Sequence, residues 1–176
     1  MRRTGVLIAA AAFLVTVSAT SAGEQRTPAA GPSALSETYE DWLVACVATG
    51  ETGKQCTFSQ SQSNQNGQRV LTIELSPAED GGLKGTLVMP FGLNLDKGVT
   101  FSVDNTTPGK PSRFTTCLPG GCIARLTFTP ATVASLRQGT ALKLGTFASD
   151  SEKEVAFSIS LKGFGTALER TVALGK

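Results

Sequence analysis

Apolar residues recur at every second position along most of this chain, and that period restricts it to β architecture. Trp42, Val44 and Cys46 share one face of an extended segment. Leu71, Ile73 and Leu75 share another, with Thr72, Glu74 and Ser76 opposite them. The pattern returns at Val99/Phe101/Val103, at Ala124/Leu126/Phe128 and at Val155/Phe157/Ile159/Leu161, and shorter candidate strands lie at 57–62, 83–89, 113–117 and 142–147. Glycine-bearing turns separate them: Glu51-Thr52-Gly53, Asn66-Gly67, Asp80-Gly81-Gly82, Asp96-Lys97-Gly98 and Pro119-Gly120-Gly121. Eight or nine short strands punctuated in this way predict an all-β fold, either a two-sheet sandwich or a barrel. Thr129 as cap and Pro130 at the first helical position, with Gly139 as stop, predict one short helix. Phe164, Ala167, Leu168 and Val172 have the spacing of a second. We read Gly163-Phe164-Gly165 as a strand-end turn, since it lacks the third glycine of a dinucleotide fingerprint.

The first residues carry a different signal. Arg2 and Arg3 precede a largely apolar run from Val6 to Val17, and Thr20-Ser21-Ala22 supplies small residues ahead of Gly23. This is the form of a secretory signal peptide. A twelve-residue helix would span about 18 Å, short of a hydrocarbon core of about 30 Å, so the expectation is cleavage after Ala22 and no transmembrane anchor. Residues 23–37, rich in Ala, Pro, Gly, Ser and Thr, read as a flexible leader, and 38–176 as one β-sandwich domain. The 16 Lys+Arg and 14 Asp+Glu of the whole chain become 14 of each once Arg2 and Arg3 are removed. A neutral domain without a basic cluster does not suit nucleic acid.

Cys46, Cys56, Cys117 and Cys122 form an even set in a chain read as exported, which predicts two disulfides and a periplasmic, secreted or cell-surface location. The chain has no histidine, and neither cysteine gap has the two-residue spacing of zinc ligands, so neither metal nor cofactor is expected. Chain-entropy arithmetic gives about 2.8 kcal/mol for closing Cys46 to Cys56, about 2.2 for Cys117 to Cys122 and about 4.5 for Cys46 to Cys122, so energy leaves the connectivity open. Turn chemistry favours local pairing. Pro119-Gly120, inside Cys117-Leu118-Pro119-Gly120-Gly121-Cys122, is the central pair of a type II turn with positive φ expected at Gly120, and Gly50-Glu51-Thr52-Gly53 lies between Cys46 and Cys56.

Catalysis is limited by what is missing. Without histidine there is no Ser-His-Asp or Cys-His arrangement, and Gly50-Glu51-Thr52-Gly53-Lys54 departs from a phosphate loop at Ala48 and Gln55. Carboxylates remain at Glu37/Glu40/Asp41, Glu79/Asp80 and Asp150/Glu152/Glu154, each in a loop or on a solvent-facing position, where solvated charge is the plain reading.

Three segments together resemble the invasion-associated locus B (IalB) family of alphaproteobacterial envelope proteins. They are Asp41-Trp42 with Cys46 and Cys56, Met89-Pro90-Phe91-Gly92-Leu93-Asn94-Leu95-Asp96-Lys97-Gly98-Val99 running on to Val103-Asp104, and Cys117-Leu118-Pro119-Gly120-Gly121-Cys122-Ile123-Ala124 with Ser160-Leu161-Lys162-Gly163-Phe164 after it. Met89 stands where the family commonly has leucine. The resemblance implies an immunoglobulin-like β-sandwich, secretion, a role in host-cell entry for the founding members, and no catalytic residues. The expectation is therefore a non-enzymatic binding or structural envelope protein that presents loops or a sheet edge to a protein or another envelope component, with virulence as one use of it. The alternative is a carboxylate-dependent periplasmic enzyme acting on envelope glycan, which would need two carboxylates about 5–10 Å apart in one cleft.

Overall fold

The computed structural model describes residues 34–49 and 53–175. In them ten strands and two helices follow as β1 (Ala34–Tyr39), β2 (Trp42–Thr49), β3 (Gly53–Ser63), β4 (Arg69–Pro77), β5 (Leu83–Met89), β6 (Thr100–Val103), β7 (Phe114–Leu118), β8 (Gly121–Phe128), α1 (Pro130–Gln138), β9 (Ala141–Phe147), β10 (Glu154–Ser160) and α2 (Phe164–Leu174). The segment read as a signal peptide, 1–22, and most of the leader, 23–33, lie outside the described residues.

Seven strands form one sheet in the order β1-β2-β3-β4-β5-β8-β7, and three form a second in the order β10-β9-β6, with antiparallel pairing throughout. β1 through β5 follow one another as an antiparallel meander, each strand pairing with the next in sequence. In the β3–β4 turn Asn64 Oδ1 accepts from the amides of Asn66 and Gln68. In the β4–β5 turn Asp80 Oδ1 accepts from Gly82.

The alternating residues do what their period requires. Trp42, Val44, Phe58, Leu71, Ile73, Leu75, Leu87, Ala124 and Leu126 are buried on one face of the large sheet. Val103, Leu142, Leu144 and Ile159 of the small sheet join them in a single hydrophobic cluster. Three rings mark its centre: Trp42 lies 5.3 Å from both Phe58 and Phe164, and those two are 5.5 Å apart. Polar bonds also cross between the sheets. Trp42 Nε1 and Gln60 Nε2 donate to the Ser160 carbonyl, Gln60 Oε1 accepts from Ser160 N, and Gln62 Nε2 donates to the Ser158 carbonyl. Two glutamine side chains thus occupy main-chain groups of β10 that no neighbouring strand takes.

Both disulfides are local. Cys46 lies directly opposite Cys56 across β2 and β3, and Cys117 opposite Cys122 across β7 and β8. Their Cα atoms are 4.1 Å and 3.9 Å apart, nearer the about 4.5 Å of a non-hydrogen-bonded antiparallel pair than the about 5.5 Å of a hydrogen-bonded one. An oxidising compartment outside the cytoplasm accommodates such bonds.

Several details depart from the sequence reading. Strand structure is already present at Ala34, inside the 23–37 segment read as a flexible leader: β1 pairs along its whole length with β2, but as an edge strand it is only half-buried at Leu35, Glu37 and Tyr39 and so lacks an apolar period. The positive φ of the Pro119-Gly120 turn falls on Gly121 (134°), not on Gly120. The reason is proximity, since a Cβ on Gly121 would sit 2.4 Å from the Met89 carbonyl of β5. Gly163 is the N-cap of α2 rather than the start of a turn, and Phe164 and Gly165 belong to the helix. Its φ of 79° and the 2.2 Å between a built Cβ and the Tyr39 carbonyl make glycine necessary there. Phe164, Ala167, Leu168 and Thr171 then form the buried face of α2 at i, i+3, i+4 and i+7.

An ion pair joins β1 to α2. Arg170 donates from Nε to Glu37 Oε2 at 2.6 Å and from Nη2 to Oε1 at 2.7 Å, and Tyr39 Oη adds a bond to Oε2 at 2.8 Å. The Arg170 guanidinium, and then the Tyr39 hydroxyl, hold the Glu37 carboxyl at about 2, below its ordinary 4.5. A depressed carboxyl contributes stability in full above its ordinary value and loses it as pH falls toward the folded one. Wild type should therefore be more stable than Glu37→Gln at neutral pH, with the difference closing between pH 4.5 and about 2. Chemical denaturation of both proteins across that window measures it, and a difference that stays constant would contradict this role for the pair.

Candidate interaction surface

The large sheet has a second face, and the register places its residues. Outward from β2 stand Leu43, Ala45 and Val47, which pair with Ser59, Thr57 and Gln55 of β3. Across the middle, Ser61 pairs with Thr72, Thr72 with Val88 and Val88 with Ile123, while Ser59 pairs with Glu74, Glu74 with Thr86 and Thr86 with Arg125. These positions are half-buried or exposed, in contrast to the buried alternate set. Both helices bury their apolar residues in the cluster on the opposite face. Among the described residues, no strand or helix covers the outer one.

Two apolar spots lie on it. Leu43 is 41% and Val47 52% exposed, where β-strand residues facing water are ordinarily polar. At the far corner Val88 and Ile123 adjoin Leu118, itself 52% exposed and placed on this face because its neighbour Cys117 bonds Cys122 on the other side of the strand pair. The β5–β6 loop leaves the sheet at that end and exposes Phe91 (60%) and Leu95 (42%), while Leu93 between them is buried and bridged to Ala148. Between the spots run hydroxyls, including the Ser61–Thr72 pair with 2.8 Å between its oxygens. Arg69 and Glu74 on β4, Lys84 on β5 and Arg125 on β8 are charges of this face. Depletion of charge is one mark of an interface core, and here it accompanies two exposed apolar spots.

The sequence reading did not single out this face. A signal for it existed: residues 42–48 are apolar at every position, so β2 has no polar side to give to water. The carboxylates that were singled out are scattered. Glu37 is held by Arg170, Asp80 closes its own turn, and Glu152 lies 3.8 Å from Lys97. Two of the clefts among the described residues bear on the glycan-enzyme alternative. One of about 440 Å³ lies between β6, β8 and α1 and has no carboxylate in its lining. The other, about 430 Å³, lies between the β4–β5 turn and the two helices, with Glu79 as its one acid. No group of three or more metal-ligating side chains occurs among the described residues. No helix among them is long and apolar enough to cross a membrane.

Asp104, part of the family-like segment, received no role from the sequence. In the left-handed region (φ 51°), its carboxylate accepts from Thr140 N, Thr140 Oγ1 and Ala141 N, bonds that hold its carboxyl below the ordinary range and fix the α1–β9 connection to the end of β6. Its work is in the fold.

Known proteins are similar to this chain in sequence and fold. The profile described as "Invasion associated locus B (IalB) protein" matches residues 42–172. An invasion protein B homolog of Brucella abortus (strain 2308) is 48% identical over 147 residues, covering 83% of this chain and 84% of the relative. Invasion protein B of Bartonella bacilliformis is 33% identical over 148 residues, covering 83% and 79%. The crystal structure of invasion associated protein B from Bartonella henselae superposes with a TM-score of 0.75 at 32% identity, over 80% of this chain and 96% of that one.

Proposed function

The chain belongs to the invasion associated locus B family, and from that membership we propose that it is an exported, non-enzymatic binding module of the bacterial envelope. Its open sheet face engages a protein or another envelope component and so contributes to host-cell interaction. The observation that carries this reading is the uncovered outer face, with Leu43 and Val47 exposed on β2 and Leu118 on β7. The names of the Brucella and Bartonella relatives support the cellular role. The two disulfides support a periplasmic or cell-surface location. As the scaffold we read the two sheets as layers of an immunoglobulin-like sandwich, on the support of the cluster they share; their seven-and-three division is wider on one side than the four-and-three of an immunoglobulin constant domain. The glycan-enzyme alternative finds less support, because Glu79 is the single carboxylate in the linings of the two clefts.

The test is Leu43→Glu with Val47→Glu. Both side chains are exposed, so the fold should tolerate the change, whereas loss of two apolar anchors at an interface costs about 2 kcal/mol or more, roughly thirty-fold in affinity. In a deletion strain the wild-type gene should restore host-cell entry. The double variant should be exported and melt like wild type but fail to restore entry. Full restoration by the double variant would reject the face as the working surface.

A further inference from the structure

We propose that the cleft between β6, β8 and α1 is a binding site for a single-chain amphiphile with an anionic head, such as a medium-chain carboxylate. It opens where the two sheets part. Its floor is apolar and comes from both: Phe101, Val103 and Leu142 from the small sheet, Leu126 and Phe128 from the large one, with Phe101 and Phe128 edge to face at 5.9 Å. The connection from β6 to β7 forms one wall and is itself pinned by main-chain bonds, Gly109 N to the Phe101 carbonyl and the reciprocal pair between Val99 and Ser112. The cleft is therefore built into the fold, and its volume of about 440 Å³ falls within the range of about 300–1,000 Å³ usual for small-molecule sites.

The lining selects the ligand class. Its polar side chains are Ser and Thr hydroxyls and one charge, Lys110, and it contains no carboxylate and no Asn or Gln. A saccharide, which is ordinarily held by bidentate carboxylate and amide groups, meets none of them here. A cation would face Lys110 with nothing to balance it. No carboxylate among the described residues lies within ion-pair distance of Lys110, so its ammonium is available to an anionic head. An anionic head at Lys110 among the Ser and Thr hydroxyls, with an apolar chain laid against Phe101 and Phe128, suits both kinds of group present. This site is separate from the two apolar spots of the outer face, and the inference does not rest on the function proposed above.

Calorimetric titration of the folded protein with octanoate, decanoate and dodecanoate, below their micelle concentrations, tests it. One-to-one binding is expected, with affinity rising up to about four-fold per added methylene. Lys110→Glu should weaken dodecanoate by about ten-fold or more and leave dodecanol unchanged. Ala131→Trp, at an exposed lining position on α1, should abolish binding of both while leaving the melting temperature near wild type. The proposal is overturned if dodecanoate shows no saturable binding, if dodecyltrimethylammonium binds as well as dodecanoate, or if binding survives Ala131→Trp.

Discussion

Trp42→Ala should lower the unfolding free energy by about 3–5 kcal/mol, the usual cost of removing a large aromatic side chain from a packed core. Trp42 is fully buried and touches two rings at once, Phe58 on the neighbouring strand and Phe164 on α2, each at 5.3 Å. Its removal opens a cavity at the point where helix and sheet meet, and it also takes away the indole donor to the Ser160 carbonyl of the small sheet. Both the helix and the second sheet lose part of their attachment together. For a domain of this size the loss corresponds to a fall in melting temperature of roughly 10 °C. Trp42 is the only tryptophan, so the transition is to be followed by circular dichroism rather than by indole emission. A loss below about 1 kcal/mol would mean that the cluster closes around the gap, and that the three rings are not its centre.

Removing both disulfides should have an effect of similar size. The loop-closure arithmetic gives about 2.8 kcal/mol for Cys46–Cys56 and about 2.2 for Cys117–Cys122, together a large share of the roughly 5–15 kcal/mol by which domains are stable. The two differ in surroundings as well as in loop length. Cys46 and Cys56 are 2% and 6% exposed and face the core, so replacing both by Ser also buries two hydroxyls. Of the second pair only Cys122, 3% exposed, is buried, so one hydroxyl is buried rather than two, and the hairpin keeps Pro119 and Gly121 after substitution. Cys46→Ser with Cys56→Ser should therefore be the more damaging double variant, measured by urea denaturation, and reduction of wild type should approach the sum. Equal costs, or a greater cost for the Cys117 and Cys122 pair, would contradict this ordering.

What was legible in the sequence follows from what a local pattern encodes. Period two identified five of the ten strands and the shorter candidates located four more; all of these but β7, which is exposed beyond the half-buried Phe114, bury one side against the shared cluster. Both missed β1, whose stability comes from pairing with β2 and from the Glu37–Arg170 contact across 133 residues of chain. Thr129-Pro130 marked the start of α1, and in the structure the Thr129 hydroxyl does accept from Thr132 N. The turn at Pro119-Gly120 was located but its positive φ was misplaced, because the approach of β5 to Gly121 is a tertiary fact. The outer face was hidden for a similar reason. Alternation shows which residues point away from the core, but whether another element covers them depends on where the second sheet packs. Glu37 and Asp104 teach the same lesson for charge: each is committed to a structural partner that only the folded chain brings near, whereas Asp80 bonds Gly82 within its own turn.

The central claim is that the open face of the seven-stranded sheet is where this protein meets its partner. Site-specific photo-crosslinking in living cells tests it most directly, with benzoylphenylalanine placed singly at Leu43, at Val47 and at Gln138, an exposed position at the end of α1 that serves as control. The account predicts one discrete, light-dependent adduct of the same mass from Leu43 and Val47 and none from Gln138. Absence of any adduct from both sheet positions, or the same adduct from Gln138, would contradict it.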